Sequence, residues 1–171
     1  MELEILRNIQ SIANPFLDIL FQLITICGEQ MVLVLIISII YWVKDKKFGE
    51  YIAYAVLTSV LVNCVVKDIF KFKRPIGEEG IRTLREKTAT GYSFPSGHTQ
   101  GAGSFYGAMA IYIKKKVMYI IAIIMIILIG FSRLYLGVHY PKDVIVGGIL
   151  GVLISYIINM KIKSWYIQLH L

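Results

Sequence analysis

Six apolar runs dominate this sequence, and short polar or charged stretches separate them. A membrane-spanning helix needs about 20 predominantly apolar residues, and the later runs approach that length. The first two are shorter, so flanking residues or a tight re-entrant hairpin must complete them. The pattern predicts an all-α, polytopic membrane bundle with about six transmembrane helices. The runs cover residues 16–27, 31–43, 48–66, 98–113, 117–138 and 144–160.

Two stretches outside these runs have a different pattern. Residues 1–13 alternate apolar and polar groups at roughly helical spacing, which predicts an interfacial helix. Residues 75–95 are polar and charged, with Ile81 and Leu84 among the charges, and they are predicted to form an external loop. A lid, a second interfacial helix and an ordinary solvated loop all stay open for this loop.

The composition supports a membrane protein and decides how the charge is interpreted. Hydrophobic residues make up 57% of the 171 residues, and the mean hydropathy of +0.67 is too high for an ordinary soluble domain. This length fits a single domain, residues 1–171. The net charge of +7 would suit nucleic-acid binding, but the cations lie mostly in short clusters between apolar runs. We therefore expect membrane lipids, and no nucleic acid, as partners.

The N-terminus and the cysteines exclude several classes of processing and chemistry. Glu2 and Glu4 replace the basic start of a signal peptide, so we expect no cleavage. Cys27 and Cys64 both fall in apolar runs and indicate neither a disulfide framework nor a metal site. No carboxylate or histidine cluster has metal-ligand spacing, so we expect activity to survive a chelator.

Three lysine clusters set the predicted orientation of the bundle. They lie at residues 44–47, 114–116 and 161–163, and the positive-inside rule predicts that all three are cytoplasmic. Two runs separate each consecutive pair, so residues 67–98 and 133–143 reach the opposite face. These two connections are predicted to meet at the external face of a multi-pass cell-membrane protein. Counting two further spans back from the first cluster predicts six spans with both termini cytoplasmic.

One of these connections contains a helix start with the features of an anion site. Ser96 is a good N-cap, and Pro95 fixes the approach of the chain to it. The free N–H groups of Gly97 and His98 would point towards an anion in front of the helix. An ordinary helix cap beside an incidental histidine is the alternative, and this tetrapeptide alone does not exclude it.

Cations accumulate at the same predicted face, against the topological bias. Lys67, Lys71 and Arg74 are spaced along one face of a helix, which Pro75 is predicted to end. Arg133 ends another apolar run. Cations at the ends of membrane helices often serve as interfacial anchors, and for Lys71 and Lys73 that alternative stays open. Their position on the external face indicates a further role for the others.

His139 and Asp143 lie four residues apart, with Pro141 at a predicted first helical position between them. A carboxylate there can bind one imidazole nitrogen and leave the other free. A nucleophilic or basic histidine needs this arrangement. An acid placed for the helix dipole, beside a solvated histidine, is the alternative.

Together these patches resemble the tripartite signature of the type 2 phosphatidic acid phosphatase family. That family includes lipid phosphate phosphatases, glucose-6-phosphatase and the vanadium haloperoxidases. The matched stretches occur in the right order, and no signature position departs from the pattern. They read Lys67-(six residues)-Arg74-Pro75, Pro95-Ser96-Gly97-His98 and Ser132-Arg133-(five residues)-His139-(three residues)-Asp143.

The resemblance implies a helical bundle and metal-independent phosphate release without a cofactor. It implies that neutral His139 attacks phosphorus, that Asp143 stabilises the resulting imidazolium, and that protonated His98 donates to the leaving oxygen. The cations disfavour a proton on His98, so bound phosphate is expected to help hold it. The residues implied in phosphate binding are Lys67, Arg74, Ser96, Gly97 and Arg133.

A lipid phosphate is the expected substrate class, because a head group at the membrane interface reaches a site at helix ends directly. Polyprenyl diphosphate, phosphatidylglycerophosphate and phosphatidate all stay open as the lipid, and the sequence predicts no oligomeric state. A haloperoxidase would have a soluble scaffold, which the apolar runs argue against. A lipid or phosphate transporter or scramblase without hydrolysis is the alternative function, although few polar residues lie within the runs.

Overall fold

The computed structural model describes residues 1–169, with side chains as far as residue 162. Within that range the regular structure is entirely helical, which confirms the predicted all-α class. The side chain of Lys163, from the third predicted lysine cluster, and residues 170 and 171 lie outside the described part of the chain. The α-helices are α1 (Glu2–Gln10), α2 (Pro15–Ile26), α3 (Gln30–Ile39), α4 (Lys46–Phe70), α5 (Gly97–Ile113), α6 (Lys116–Tyr135) and α7 (Pro141–Leu169), with a π-helical turn at Ile40–Lys44 and a 3-10 turn at Glu86–Thr88.

The helix starts follow the capping signals in the sequence. The side chain of Ser96 caps α5 by accepting from the N–H of Thr99, as predicted. Pro141 opens α7 at the predicted first position, and Asp143 lies in the first turn. Both helix starts are therefore set by local residue types.

Helix α4 ends earlier than the sequence predicted. Lys71 adopts a left-handed conformation with φ 50°, and its N–H bonds to the carbonyl oxygen of Lys67, so the helix stops at Phe70. Arg74 therefore does not share a helical face with Lys67, which corrects the predicted spacing. The helical conformation is disfavoured for a residue that precedes proline, and this keeps Arg74 in the loop.

Helix α5 lies at the centre of the bundle and packs against α4, α6 and α7. A Cβ atom built on Gly103 would lie 2.7 Å from the carbonyl oxygen of Gly148, so α5 and α7 approach closely through their glycines. Tyr51 of α4 donates a 2.9 Å hydrogen bond to the carbonyl oxygen of Ser155 on α7. Phe105 of α5 is buried in an apolar core shared with α3 and α4.

The outward faces of the bundle are apolar, which identifies a membrane protein. Helix α4, helix α6 and the segment Pro141–Ile162 of α7 are long and apolar enough to cross a membrane, and Gln30–Lys44 is shorter but also apolar. A soluble protein of this size would bury most of such surface. Large exposed side chains on these helices include Leu57, Leu61, Ile123, Ile127, Ile149 and Leu153.

The two ends of the bundle differ in chemistry. One end, called the lysine end below, holds Lys47, Lys114 and Lys161 around a cavity of about 740 Å³. The opposite end, called the site end, holds the end of α4 and the starts of α5 and α7. Helices α3 to α7 run alternately between the two ends. The lysine clusters and the predicted site residues are therefore separated by the bundle, as the sequence predicted.

Helix α1 stays at the site end. Glu2 forms a 2.9 Å ion pair with Lys142 at the start of α7. Arg7 donates a 2.7 Å hydrogen bond to the carbonyl oxygen of Glu79 in the loop between α4 and α5. Residues 2–10 are thus helical and cover this loop.

Helix α2 does not cross the bundle either, because both of its ends contact the same loop. Asp18 in its first turn pairs with Arg82 at 2.6 Å, and Glu29 just beyond its last turn pairs with Arg85 at 2.5 Å. By length and composition, three of the described helices can cross a membrane, or four if α1 and α2 together form one bent span. The predicted six spans with both termini on one face are therefore not confirmed, and the re-entrant alternative fits α2.

Candidate active site

His139 lies buried between a basic and an acidic side chain at the site end. It is 1% exposed, its Nε2 lies 2.9 Å from Nη1 of Arg74, and its Nδ1 lies 3.4 Å from Oδ2 of Asp143. A guanidinium carries only donors, so Arg74 donates to Nε2. In the neutral ring the proton is therefore on Nδ1, and the lone pair is on Nε2.

The environment keeps this imidazole neutral. Burial lowers the pKa of His139 well below its ordinary value of 6.5, and the charges of Arg74, Arg133 and Lys67 lower that pKa further. A hydrogen bond with the backbone of Ser93 opposes the shift. Asp143 was expected to favour protonation, but burial and the three cations outweigh it. His139 is consequently unprotonated at Nε2 at neutral pH, where this nitrogen accepts from Arg74.

Asp143 is oriented by donors from two segments. Its Oδ2 accepts from the hydroxyl of Ser93 and, at 2.9 Å, from the backbone N–H of Tyr140. Its Oδ1 is buried without a hydrogen-bond partner. The backbone N–H of Ser96 donates to the Asp143 carbonyl oxygen at 2.9 Å, which joins the starts of α5 and α7. The carboxylate is thus fixed before any ligand arrives.

Arg74 and Lys67 are positioned by carbonyl groups of the loop between α4 and α5. The Nη2 and Nε atoms of Arg74 donate to the carbonyl oxygens of Thr90 and Gly91 at 2.8 and 3.0 Å. Lys67 Nζ donates to the carbonyl oxygen of Tyr92 at 2.8 Å. Three consecutive loop residues therefore hold both cations, and this part of the loop is not freely solvated.

Arg133 and His98 leave buried nitrogen atoms without partners. Arg133 is 1% exposed, and its Nη1 donates to Oγ1 of Thr25 at 2.9 Å, while its Nε is unpaired. His98 Nε2 is also buried and unpaired, and the charges of Arg133 and Arg74 act on the ring. Buried polar groups normally find a partner, so unpaired ones beside several cations indicate a place for an anion.

Ser96 and Gly97 complete the helix start beside this site. The hydroxyl of Ser96 is buried and accepts from Oγ1 of Thr99 at 3.0 Å. A Cβ atom on Gly97 would lie 3.3 Å from Oδ1 of Asn63, so the glycine also serves close packing. Among the described residues, no group of three His, Cys, Asp or Glu side chains could hold a metal ion.

The structure places every predicted site residue at the site end. His139 contacts both Arg74 and Asp143, and the backbone N–H of Ser96 donates to the carbonyl oxygen of Asp143. The remaining members lie around them: Lys67 bound to Tyr92, Arg133 bound to Thr25, and His98 and Gly97 at the start of α5.

Sequence reasoning missed three residues near this cluster. Ser93 donates to Asp143, and Thr25 accepts from Arg133. Arg85 adds a positive charge that acts on Arg133. The charged composition of residues 75–95 was a signal for Arg85. No pattern distinguished Ser93 or Thr25 from other hydroxyl residues, because their roles depend on contacts between distant segments.

Comparison with known proteins finds relatives over the part of the chain that holds the three sequence motifs. The family model of the PAP2 superfamily matches residues 49–165. An undecaprenyl-diphosphatase of Sulfolobus acidocaldarius is 33% identical over 122 residues, which cover 71% of this chain and 58% of that protein. Phosphatidylglycerophosphatase B of Bacillus subtilis is 31% identical over 170 residues, covering 90% of this chain and 81% of that protein. This chain thus spans little more than half of the Sulfolobus relative.

A solved structure has the same fold. The crystal structure of Aquifex aeolicus LpxE superposes with a TM-score of 0.82 at 27% sequence identity. The match covers 93% of this chain and 94% of that one. The similarity therefore extends beyond the three motifs to nearly the whole helical arrangement.

Proposed function

This chain belongs to the PAP2 superfamily, and from that membership we propose that it is an integral membrane phosphatase acting on lipid phosphates. It hydrolyses a phosphate monoester or diphosphate of a lipid. The similarity to an undecaprenyl-diphosphatase and to a phosphatidylglycerophosphatase supports a polyprenyl diphosphate or a phospholipid head group as substrate. The same relatives do not favour the transporter or scramblase alternative.

The environment of His139 is the observation that carries this proposal. One ring nitrogen faces a fixed carboxylate, and the other presents its lone pair to Arg74. When a phosphate enters, its oxygen replaces Nε2 as the acceptor for Arg74. The freed lone pair then attacks phosphorus in line with the leaving oxygen. The product of this step is a phosphohistidine, and Asp143 stabilises its imidazolium.

The cations supply most of the stabilisation of the transition state. In the transition state, negative charge develops on three equatorial phosphoryl oxygens. Arg74 contacts His139 directly, and the positive charges of Arg133 and Lys67 also act on this histidine. The N–H groups at the start of α5 add further donors without reorganisation. His98 gives its proton to the leaving oxygen, and a water molecule then releases phosphate from His139.

The position of the site fits a substrate anchored in the bilayer. The site lies at the helix ends, above apolar outward faces, so a head group can reach it while its chain stays in the membrane. The lysine end carries residues from all three lysine clusters and faces the cytoplasm under the positive-inside rule. The active site then faces the periplasmic or extracellular side.

A substrate panel on detergent-purified protein tests this proposal. Undecaprenyl diphosphate, phosphatidylglycerophosphate and phosphatidate are each assayed for phosphate release. We expect release from at least one lipid and complete loss in His139→Ala. Lys161→Ala, at the lysine end, is the control and should keep its activity. A wild-type protein that binds these lipids but releases no phosphate would instead support transport.

A further inference from the structure

Arg85 is a cation at the site end that lies outside all three sequence motifs. Its Nη2 bonds to Oε1 of Glu29 at 2.5 Å, but its Nε is buried and has no hydrogen-bond partner. A carboxylate can bind the Nε–Nη2 edge of a guanidinium with both oxygens. Glu29 uses only one of the two donors, so this edge of Arg85 keeps one N–H for another acceptor.

The surrounding loop fixes the position of Arg85. Its backbone is left-handed, with φ 56°, which is uncommon for a residue with a side chain. Its carbonyl oxygen accepts from the backbone N–H and the hydroxyl of Thr88, and the neighbouring Leu84 donates to the carbonyl oxygen of Leu136. These contacts place the Arg85 side chain, which is 22% exposed, between the loop and the start of α3.

Arg85 lies on the His98 side of the site. Its partner Glu29 directly follows Gly28, where a Cβ atom would lie 3.2 Å from the carbonyl oxygen of His98. The charges of Arg85 and Arg74 both act on His98 and Arg133, but Arg74 also contacts His139 directly. The Nε atoms of Arg85 and Arg133 and the Nε2 of His98 are all buried without partners. In the proposed reaction His139 binds the transferred phosphorus and His98 faces the leaving oxygen. A cation near His98 is therefore placed for a negative charge on the leaving group.

We propose that Arg85 forms a second anion subsite, which binds the phosphoryl group of the leaving lipid phosphate and makes lipid diphosphates the preferred substrate class. This inference rests on the proposed function of the site. In a diphosphate, Nε2 of His139 forms a bond to the terminal phosphorus as the bond to the bridging oxygen breaks. The electron pair stays on that oxygen, and a lipid monophosphate leaves. Water then attacks the phosphohistidine, so the products are the lipid monophosphate and inorganic phosphate.

Chemistry explains why this subsite would discriminate between substrates. The leaving group of a diphosphate is itself a phosphate, whose charge the second subsite stabilises. The leaving group of a simple monoester is an alkoxide that carries no phosphoryl oxygens for Arg85 to bind. Removing the cation should therefore weaken binding of a diphosphate far more than binding of a monophosphate.

Glu29 distinguishes this role from a purely structural one. If Arg85 serves only to tie the loop to α3, loss of either partner breaks the same contact and has the same effect. If Arg85 binds an anion, Glu29 competes with that anion for the guanidinium. Glu29→Gln should then leave diphosphate affinity unchanged or increase it, whereas Arg85→Gln should decrease it.

Arg82 provides a matched control in the same loop. It forms a separate ion pair from this loop to α2, with Asp18 at 2.6 Å, and its side chain is 44% exposed. No hydrogen bond that the described residues show links it to His98, Arg133 or His139. Arg82→Gln therefore removes a cation and a loop contact without touching the proposed subsite.

The experiment measures the affinity of two non-hydrolysable probes that carry the same farnesyl chain: a methylenediphosphonate and a phosphonate. We expect Arg85→Gln to weaken the diphosphonate by about tenfold or more, as expected for loss of a charged hydrogen bond, and the phosphonate by less than about threefold. Arg85→Lys should recover part of the loss. Arg82→Gln should change neither affinity by more than about twofold.

Three results would overturn the inference. The first is that Arg85→Gln loses the same affinity for both probes. The others are that Arg82→Gln or Glu29→Gln loses as much diphosphonate affinity as Arg85→Gln. Thermal unfolding of each variant in detergent shows whether it is folded, and Arg85→Lys keeps the test valid if Arg85→Gln is not. Binding is measured without turnover. A protein that releases no phosphate from any lipid would therefore refute the proposed function while this test still decides the role of Arg85.

Discussion

At the residue scale, the proposed mechanism requires opposite charge states of the two histidines before the reaction begins. His139 would have to be neutral to attack phosphorus, and burial with three nearby cations keeps it so. His98 would have to carry a proton for the leaving oxygen, yet Arg133 and Arg74 act on it with the same positive charge. In this proposal a bound phosphate dianion offsets that positive charge and favours the proton on His98, so the substrate itself prepares the acid for its cleavage.

The charge state of His139 leads to a prediction about pH. Its pKa in the folded protein lies below 6.5, so the ring should stay neutral at pH 6, where an exposed histidine is mostly protonated. The unfolded chain binds this proton more readily, so acidification below about pH 6.5 should destabilise the fold. Nitrogen-15 NMR of labelled histidine should show a neutral ring with its proton on Nδ1, and His139→Gln should remove that signal. An imidazolium signal for His139 at pH 6 would contradict this assignment.

The division of roles between the histidines leads to a second prediction. General acid catalysis is worth about 10²–10⁴-fold, but a p-nitrophenolate leaving group needs no proton. His98→Ala should therefore keep far more of its relative activity on p-nitrophenyl phosphate than on an alkyl lipid phosphate. His139→Ala should be inactive on both substrates. Equal fractional losses for His98→Ala, measured where chemistry is rate-limiting, would exclude His98 as the acid.

The sequence predicts the residues at this site better than it predicts their contacts. His139 and Asp143 lie four residues apart along the chain, so their pairing followed from local spacing. Ser93 reaches Asp143 across 50 residues, and Arg133 reaches Thr25 across 108. Such pairs depend on how distant segments fold together, and no local pattern encodes them.

At the element scale, the contact between α5 and α7 holds the site together. The Ser96 N–H binds the Asp143 carbonyl oxygen where the two helices begin, and glycines keep the helices close further along. The recurring glycines already indicated close helix packing in the sequence. Their alignment across the two helices could be seen only in the structure, because it depends on how each helix is rotated.

This contact leads to a prediction about packing. A Cβ atom on Gly103 would lie 2.7 Å from the Gly148 carbonyl oxygen, which belongs to backbone and cannot turn away. Gly103→Ala should destabilise the bundle by about 1–3 kcal/mol and lower activity by separating α5 from α7. Gly101→Ala is the matched control, because its Cβ would lie 3.4 Å from the flexible side chain of Leu33. Both changes raise helix propensity equally, so identical melting temperatures in detergent would refute the packing argument.

At the scale of the whole molecule, the sequence predicted the separation of the two ends, whereas its count of six spans is not confirmed. The lysine clusters lie opposite the site because each pair is separated by two helices that cross. The run at residues 16–27 is apolar enough to resemble a span, yet Asp18 and Glu29 at its ends both bind the same loop. Hydropathy measures how apolar a segment is and does not report where its ends are anchored. Whether this run crosses the membrane decides the side on which every residue before it lies.

The re-entrant arrangement of α2 leads to the last prediction. Single cysteines at the exposed positions of Glu4, Glu79, Lys46 and Lys115, with Cys27 and Cys64 replaced by serine, are treated with an impermeant maleimide on right-side-out vesicles. Positions 4 and 79 should react from outside, because α1 and the loop lie together at the site end. Positions 46 and 115 should react only after permeabilisation, since the positive-inside rule places the lysine end in the cytoplasm. Reaction of position 4 together with 46 and 115 would restore the six-span topology. Reaction of positions 79 and 115 from the same side would mean that α5, which lies between them, does not cross the membrane. That result would refute a single site at one end of the bundle.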